Sequence, residues 1–289
     1  MSAFETPTTE RGIEAKHQAL RAILGRYGKV LVAYSGGVDS TLILKVAAQT
    51  LGPQRAVGVI AKSETLTGDE FEEAVRIARE QGFNLRIVEY SELEVENYAS
   101  NPLNRCYFCK VELYGRLQEI AEEIGAEAIC NGDNADDTSD FRPGLRAAAE
   151  AHIVSPLREA NMGKAQIRAL ARRLGLPNWD KPSGACLSSR IPYGETITKE
   201  KLDSIGRAEK LLRGLGFRQV RVRRHGPIAR IEVAPQEIER LAGAGVRETV
   251  SRELKSCGFA YVALDLEGYR AGSLNETLGQ RSEPSPEPR

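Results

Sequence analysis

The segment with the clearest chemical character is SGGVDS, which begins at Ser35, follows an apolar run and precedes a helical pattern. Gly36 and Gly37 let the backbone approach a ligand closely, and backbone N–H groups at the start of a helix bind phosphate. Ser35 and Ser40 add hydroxyl donors, while Asp39 suits a magnesium ion or a contact to the loop backbone. The alternative is a tight strand-to-helix turn capped by Asp39 or Ser40.

A second polar cluster, NGDNADD, begins at Asn131 and follows a strand-like run over 126–130. Asp133 and Asp137 could hold magnesium or position an activated substrate; the alternative is an Asx-rich turn with a helix cap. We favour the functional interpretation because strand ends of a parallel sheet converge on the ligand crevice. The Gly-Lys-Ser/Thr ending of a Walker loop does not follow the glycine pair, which disfavours transfer of a terminal phosphate.

Three cysteines could carry sulfur or metal chemistry. Cys106 and Cys109 are separated by two residues, and Cys186 follows far downstream in KPSGACLSSR. The CxxC pair alone is compatible with a zinc half-site, a redox pair or two small buried residues. Three such thiols together would suit an iron–sulfur cluster with one iron open to an exogenous sulfide. Cys130 and Cys257 lie in apolar segments and are interpreted as structural.

The surroundings of Cys186 are typical of a reactive thiol. Pro182 marks a loop, and Lys181 and Arg190 are placed to favour the thiolate. Burial would instead make the thiol inert. A basic run further on, with Arg221, Arg223 and Arg224, could bind a phosphate or carboxylate, or could be a solvated strand edge.

Alternating elements must position these residues. Strand-like runs over 29–34, 56–61 and 85–90 alternate with helical patterns, including one over 69–81, which predicts an α/β domain with a parallel sheet. After about Thr196, a helix over 199–214, a strand pair over 219–224 and 228–233, further helices and a strand predict a small α+β domain. We therefore predict domains at 1–195 and 196–272. The Pro-rich tail, 273–289, is predicted to be disordered.

Composition narrows the class of protein. The chain has 289 residues, 41% hydrophobic and 28% charged, with 40 basic and 40 acidic side chains. This balance is typical of a globular protein without a general electrostatic footprint for nucleic acid or membrane. Neither a secretory signal nor an apolar run of membrane-spanning length is apparent, so we expect a cytoplasmic location.

Taken together, the motifs resemble one family. SGGVDS is similar to the pyrophosphate-binding loop of the N-type ATP pyrophosphatases, also called PP-loop or adenine nucleotide alpha hydrolase-like proteins. With that loop, NRCYFCK, NGDNADD, RPGLRAA, KPSGACLSSRIPYGE, HGPIARIEV and LDLEGYRAGSLNE resemble the LarE family of ATP-dependent sulfur transferases over about residues 10–276.

This resemblance implies a two-part reaction. ATP with Mg²⁺ adenylates a carboxylate of pyridinium-3,5-biscarboxylic acid mononucleotide and releases pyrophosphate; sulfur then displaces AMP, in the biosynthesis of the nickel-pincer cofactor. Catalytic roles are implied for Asp39 and Cys186. ATP contacts are implied for Ser35, Gly36, Gly37, Asp39, Ser40, Ser63, Asp133 and Arg142, and substrate contacts for Arg190, Glu209, Arg221, Arg223, Glu232 and Arg270.

The sulfur source has two versions in the family. In single-cysteine members the residue matching Cys186 is sacrificed and becomes dehydroalanine. Because Cys106 and Cys109 occupy a loop expected to face the same site, the resemblance favours a [4Fe-4S] cluster on Cys106, Cys109 and Cys186 that delivers a replenished sulfide. A small-molecule substrate, a sulfide donor and a homo-oligomer, a hexamer in the family, are also implied.

Two other functions are compatible with the motifs. A PP-loop enzyme that thiolates tRNA would bind nucleic acid, which the balanced charge disfavours. A nucleotide-responsive regulator would bind ATP without substrate-dependent release of pyrophosphate.

Overall fold

The computed structural model describes residues 9–139, 143–182, 184–270 and 272–274. The chain divides into two compact units, the first within Met1–Tyr98 and Leu103–Gly184 and the second within Ala99–Pro102 and Ala185–Arg289. The predicted domain limits at 195 and 272 remain predictions, because a division by contacts does not define independently folding domains. Of the tail predicted to be disordered, 275–289 lies outside the described residues.

The first unit is built on a parallel sheet of four strands in the order β3-β2-β1-β4. The predicted α/β class is therefore confirmed. The strands are β1 (Val30–Ala33), β2 (Ala56–Lys62), β3 (Asn84–Glu89) and β4 (Ala128–Cys130). The helices are α1 (Glu10–Leu24), α2 (Val38–Leu51), α3 (Gly68–Glu80), α4 (Arg105–Ile124), α5 (Pro143–Glu150), α6 (Pro156–Glu159) and α7 (Lys164–Arg173).

Helices cover both faces of this sheet, which explains why its central strand reads as an unbroken apolar run. Leu31 packs with buried residues of α4 and α5, whereas Val30 and Val32 pack with those of α1, α2 and α7. The chain moves from β1 outward to β2 and β3 and then returns to place β4 on the other side of β1. The crevice beyond the carboxyl ends of β1 and β4 is thus the topological switch point, where doubly wound sheets bind ligands.

The second unit contains a mixed sheet of three strands in the order β5-β6-β7, with β5 antiparallel and β7 parallel to β6. Its strands are β5 (Val220–His225), β6 (Ile228–Val233) and β7 (Tyr261–Leu264), and its helices are α8 (Lys199–Gly214), α9 (Ile238–Ala242) and α10 (Ala244–Ser256). Four 3₁₀ turns complete the described elements: Glu92–Glu94, Ala135–Ser139, Leu187–Arg190 and Pro235–Glu237.

Candidate functional site

The SGGVDS loop joins β1 to α2 at the switch point. Gly36 has a φ of +71°, and a Cβ there would lie 2.4 Å from the Cβ of Ala74, so only glycine fits. The Ser40 hydroxyl accepts from the Ser35 backbone N–H at 3.1 Å and donates to the Gly37 carbonyl at 3.2 Å. No side chain caps the first turn of α2. The backbone N–H groups of this turn therefore lack a side-chain acceptor and suit an anion bound in the crevice.

Asp39 lies in this first turn and is held by a lysine that the sequence did not single out. The ammonium group of Lys164 lies 2.7 Å from Oδ1 and 2.6 Å from Oδ2 of Asp39. Lys164 is the first residue of α7, and its backbone N–H donates to Oδ2 of Asp136 at 2.6 Å. No motif marks Lys164, because the pair joins residues 125 positions apart.

The loop after β4 lies directly against the SGGVDS loop. A Cβ added to Gly132 would lie 3.3 Å from the Cβ of Asp39 and 3.5 Å from the backbone nitrogen of Ser40. Ser63 follows β2, the neighbouring strand, and its hydroxyl lies 3.3 Å from that of Thr65. Three strand ends therefore bring predicted nucleotide residues to one edge of the sheet.

The acidic residues of the second cluster also organise their own loop. Oδ2 of Asp133 accepts from the Asn131 side chain at 2.7 Å, and Oδ2 of Asp137 accepts from the Asn134 backbone N–H at 2.9 Å. The Asx turns considered from the sequence are present, because the side-chain oxygens of Asn131 and Asn134 accept from the backbone N–H groups of Asp133 and Asp136, at 3.2 and 3.0 Å. Metal or substrate contacts by Asp133 and Asp137 remain a prediction, and Arg142 lies outside the described residues.

The CxxC pair lies on a helix rather than in the predicted loop. Cys106 and Cys109 are the second and fifth residues of α4, and a separation of three residues places side chains on one face of a helix. Both are half-buried, and the Cys109 thiol donates to Oε1 of the buried Glu92 at 3.6 Å. The expectation of a loop was wrong because NRCYFCK continues without a break into a helical pattern.

Lys110 brings a positive charge to this pair. Its ammonium lies 5.5 Å from the ring centroid of Tyr114. Burial disfavours the charged ammonium, but Tyr114, Cys109, Asp133 and Cys106 together outweigh that effect and raise the pKa of Lys110. The cysteine-bearing face of α4 therefore carries a cation that interacts with both the thiols and the loop after β4.

Cys186 lies in the second unit with an exposed side chain and a tightly held backbone. It caps the 3₁₀ turn Leu187–Arg190. Its carbonyl accepts from the backbone N–H and the hydroxyl of Ser189, at 3.0 and 2.8 Å, and from Nη1 of Arg190 at 3.0 Å. Nη1 of Arg190 also donates to the Ala185 carbonyl at 2.6 Å, so Arg190 fixes the backbone on both sides of the Cys186 Cα.

Arg190 is itself held by a buried carboxylate on α8. Nε and Nη2 of Arg190 donate to Oε1 and Oε2 of Glu209 at 2.8 and 3.1 Å, and both side chains are at most 1% exposed. Arg213 and the Val222 N–H donate to the same carboxylate. Burial alone would raise the pKa of Glu209, but Arg190, Arg221 and Arg213 outweigh burial and lower it.

A second buried pair holds the other end of the turn. Nε and Nη2 of Arg223 donate to Glu232 at 2.5 and 3.0 Å, and its Nη1 donates to the Ser189 carbonyl at 2.9 Å. Arg221 is buried, which lowers its pKa, and donates to the Val220 carbonyl.

The remaining predicted substrate residue, Arg270, pairs with Glu267 at 2.8 Å and donates to the Gly268 carbonyl at 3.1 Å. Each arginine predicted to contact the substrate and described in the structure therefore donates hydrogen bonds to acceptors within the protein. Contacts of these arginines with substrate remain a prediction.

Cys130 and Cys257 are buried, as predicted, and burial raises the pKa of Cys130 to about 12. Across the described ranges, no group of three or more His, Cys, Asp or Glu side chains is assembled as a metal site. None of the described helices combines the length and apolar character needed to cross a membrane.

Comparison with known proteins finds relatives that match nearly the whole chain. The family model for NAD synthase matches residues 13–102. The pyridinium-3,5-bisthiocarboxylic acid mononucleotide synthase of Lactiplantibacillus plantarum is 42% identical over 92% of this chain and 96% of its own. An uncharacterized protein of Synechocystis sp. is 46% identical over 92% of this chain and 99% of its own, and one of Methanocaldococcus jannaschii is 28% identical over 84% and 91%.

Proposed function

Because the chain belongs to the family of the pyridinium-3,5-bisthiocarboxylic acid mononucleotide synthase, the LarE family, we propose that it is the ATP-dependent sulfurtransferase of nickel-pincer cofactor biosynthesis. One observation carries the proposal: the 266 aligned residues outnumber those of the first unit, so the similarity also extends into the unit that contains Cys186.

The switch-point crevice supports the first half-reaction. A carboxylate oxygen of pyridinium-3,5-biscarboxylic acid mononucleotide attacks the α-phosphorus of ATP, and the bond to the pyrophosphate breaks. The N–H groups of the SGGVDS loop and the start of α2 would hold that leaving group. Asp39, with Ser63 and Asp133, would hold the Mg²⁺ nucleotide, and Lys164 would add a positive charge.

Sulfur transfer is the second half-reaction. A sulfur nucleophile attacks the acyl carbon, the bond to AMP breaks, and the thiocarboxylate remains. Thiols suit an iron–sulfur cluster, and Cys106 and Cys109 share one face of α4 beside Lys110. With Cys186 as a third ligand, a [4Fe-4S] cluster would supply an exchangeable sulfide; sacrifice of Cys186 to dehydroalanine is the alternative.

The roles of the buried arginines follow from their contacts. We assign Arg190 with Glu209, and Arg223 with Glu232, to holding the turn that presents Cys186, since all four lie within hydrogen-bonding distance of that turn or of each other. Arg221 and Arg270 remain candidates for the substrate's anionic groups.

The test measures both half-reactions under anaerobic conditions with Mg·ATP and the biscarboxylate mononucleotide. Wild-type protein should release pyrophosphate only with the mononucleotide and form the thiocarboxylate. Cys186→Ser should release pyrophosphate without making thiocarboxylate, Asp39→Asn should release almost none, and Asp203→Asn, at an exposed position on α8, should behave as wild type.

Two results would contradict the proposal: release of pyrophosphate that does not depend on the mononucleotide, or unaltered thiocarboxylate production by Cys186→Ser. The mass of the protein after one turnover separates the sulfur sources. Loss of the elements of H₂S from the chain indicates a sacrificed cysteine, and an unchanged mass indicates an exchangeable sulfide.

A further inference from the structure

Asn178, which lies after α7 and belongs to no motif, contacts the SGGVDS loop from inside the first unit. Its side chain is buried, at 3% exposure. Nδ2 donates to the Gly36 carbonyl at 2.9 Å and to Oγ1 of Thr41 at 3.0 Å. A carbonyl oxygen can only accept, so the amide NH₂ group must face Gly36.

The contact continues through Thr41 to the second glycine. The hydroxyl of Thr41, which is fully buried, donates to the Gly37 carbonyl at 2.8 Å. The Gly37 carbonyl also accepts from the Thr41 backbone N–H at 3.0 Å and from the Ser40 hydroxyl at 3.2 Å. Asn178 thus anchors the Gly36 carbonyl directly and supports the Gly37 carbonyl through Thr41, both toward the protein interior.

This anchoring decides where the N–H groups of the loop point. In a trans peptide the C=O and N–H bonds point in opposite directions, and the described residues contain no cis peptide. Carbonyls of Gly36 and Gly37 turned inward therefore direct the N–H groups of Gly37 and Val38 outward, where the Gly37 N–H lies 3.4 Å from the hydroxyl of the exposed Ser35. Outward N–H groups at the start of α2 are what binds an anion.

The donor side of the amide carries the effect, since Oδ1 of Asn178 has no partner among the described side-chain and backbone groups. The two hydrogen bonds that Nδ2 donates are therefore the contacts through which Asn178 holds the loop region. The segment is further fixed by Lys181, whose ammonium lies 2.6 Å from Glu73 on α3.

We propose that Asn178 is a positioning residue that holds the SGGVDS loop in the conformation that binds the pyrophosphate part of a nucleoside triphosphate. The inference rests on the proposed function for its ligand. Asn178 acts through Thr41 and the two glycine carbonyls. It should therefore affect the affinity for phosphate groups and not the affinity for the nucleoside.

Calorimetric titration with Mg·ATP, inorganic pyrophosphate and adenosine tests this. Asn178→Asp keeps the shape but loses the donors, so affinity for Mg·ATP and pyrophosphate should fall at least about tenfold, with adenosine affinity within about twofold. Thr41→Val removes the hydroxyl that links Asn178 to the Gly37 carbonyl, so it should also weaken pyrophosphate binding. These two variants act at different points of one hydrogen-bonded chain, so either alone keeps the test informative.

Asn101→Asp is the matched control. Asn101 is equally buried and its Nδ2 donates to the carbonyls of Ile191, Pro192 and Glu195, in the second unit. Its variant should lower the melting temperature without changing any of the three affinities. Equal loss in both Asn→Asp variants, or wild-type pyrophosphate affinity in folded Asn178→Asp and Thr41→Val, overturns the inference alone. A wild-type chain that binds neither Mg·ATP nor pyrophosphate overturns the proposed function together with it.

Discussion

The ammonium group of Lys164 lies 2.6 and 2.7 Å from the two carboxylate oxygens of Asp39 and so ties the start of α7 to the start of α2. Both side chains are partly exposed, at 29% and 22%, so the pair is solvated and its value to stability is small. From its position beside the SGGVDS loop we predict that Lys164 contributes to binding the nucleotide.

Replacement of Lys164 by Met should raise KM for ATP about tenfold, because a charged donor near the phosphates is lost. Lys199→Met, at an exposed position at the start of α8, is the control and should leave KM unchanged. The measurement is the rate of pyrophosphate release against ATP concentration. Equal KM values for the two variants would remove Lys164 from the nucleotide site.

Arg190→Lys should separate the two half-reactions. Lysine keeps the charge but cannot hold Glu209 and two carbonyls at once, so the turn with Cys186 loses its position. We expect sulfur transfer to slow at least about tenfold, with pyrophosphate release unchanged. The alkylation rate of Cys186, followed by mass spectrometry, should change as well.

Arg213→Lys is the control for that experiment, since Arg213 contacts the same carboxylate at 2.8 Å but is more exposed, at 31%. It should leave sulfur transfer and Cys186 alkylation near wild type. A similar loss in both variants would indicate that the arginines only stabilise the fold of the second unit.

Glu209 should make the stability of the second unit sensitive to acid. Its pKa in the folded protein is lowered from the ordinary value of 4.5, so the unfolded chain binds its proton more tightly. The contribution of Glu209 is therefore complete above 4.5 and is lost as the pH falls through the folded-state pKa.

In Glu209→Gln, the free energy of unfolding should be lower at neutral pH and should change less between neutral pH and pH below 4.5 than in wild type. Urea unfolding across this range is the measurement. Parallel pH profiles for the two proteins would show that Glu209 is not perturbed by folding.

Anaerobically purified protein should contain about four irons and matching acid-labile sulfide per site if the cluster version of the reaction is correct. Cys106→Ala should lose them because one thiolate ligand is removed. Cys257→Ser, at a buried position in the second unit, should retain them. Iron-free wild-type protein after reconstitution would favour Cys186 as a sacrificial donor.

The sequence alone predicted much of the fold, because the apolar periodicity that defines its elements is local. Helix α8 begins and ends at the predicted residues Lys199 and Gly214, and β6 spans the predicted Ile228–Val233. The position of SGGVDS between a strand and a helix could also be predicted, since glycine readily adopts the positive φ that the turn requires at Gly36.

Only the tertiary structure decided which side chains support the site. Lys164 and Asn178 contact the SGGVDS loop from 125 and 142 positions away, and neither belongs to a motif. The same holds for the basic strand: its charge predicted an anion site, and only the tertiary structure decided that Arg223 pairs with Glu232. Local sequence encodes periodicity and backbone preference, whereas the partner of a long polar side chain depends on which distant element the fold brings beside it.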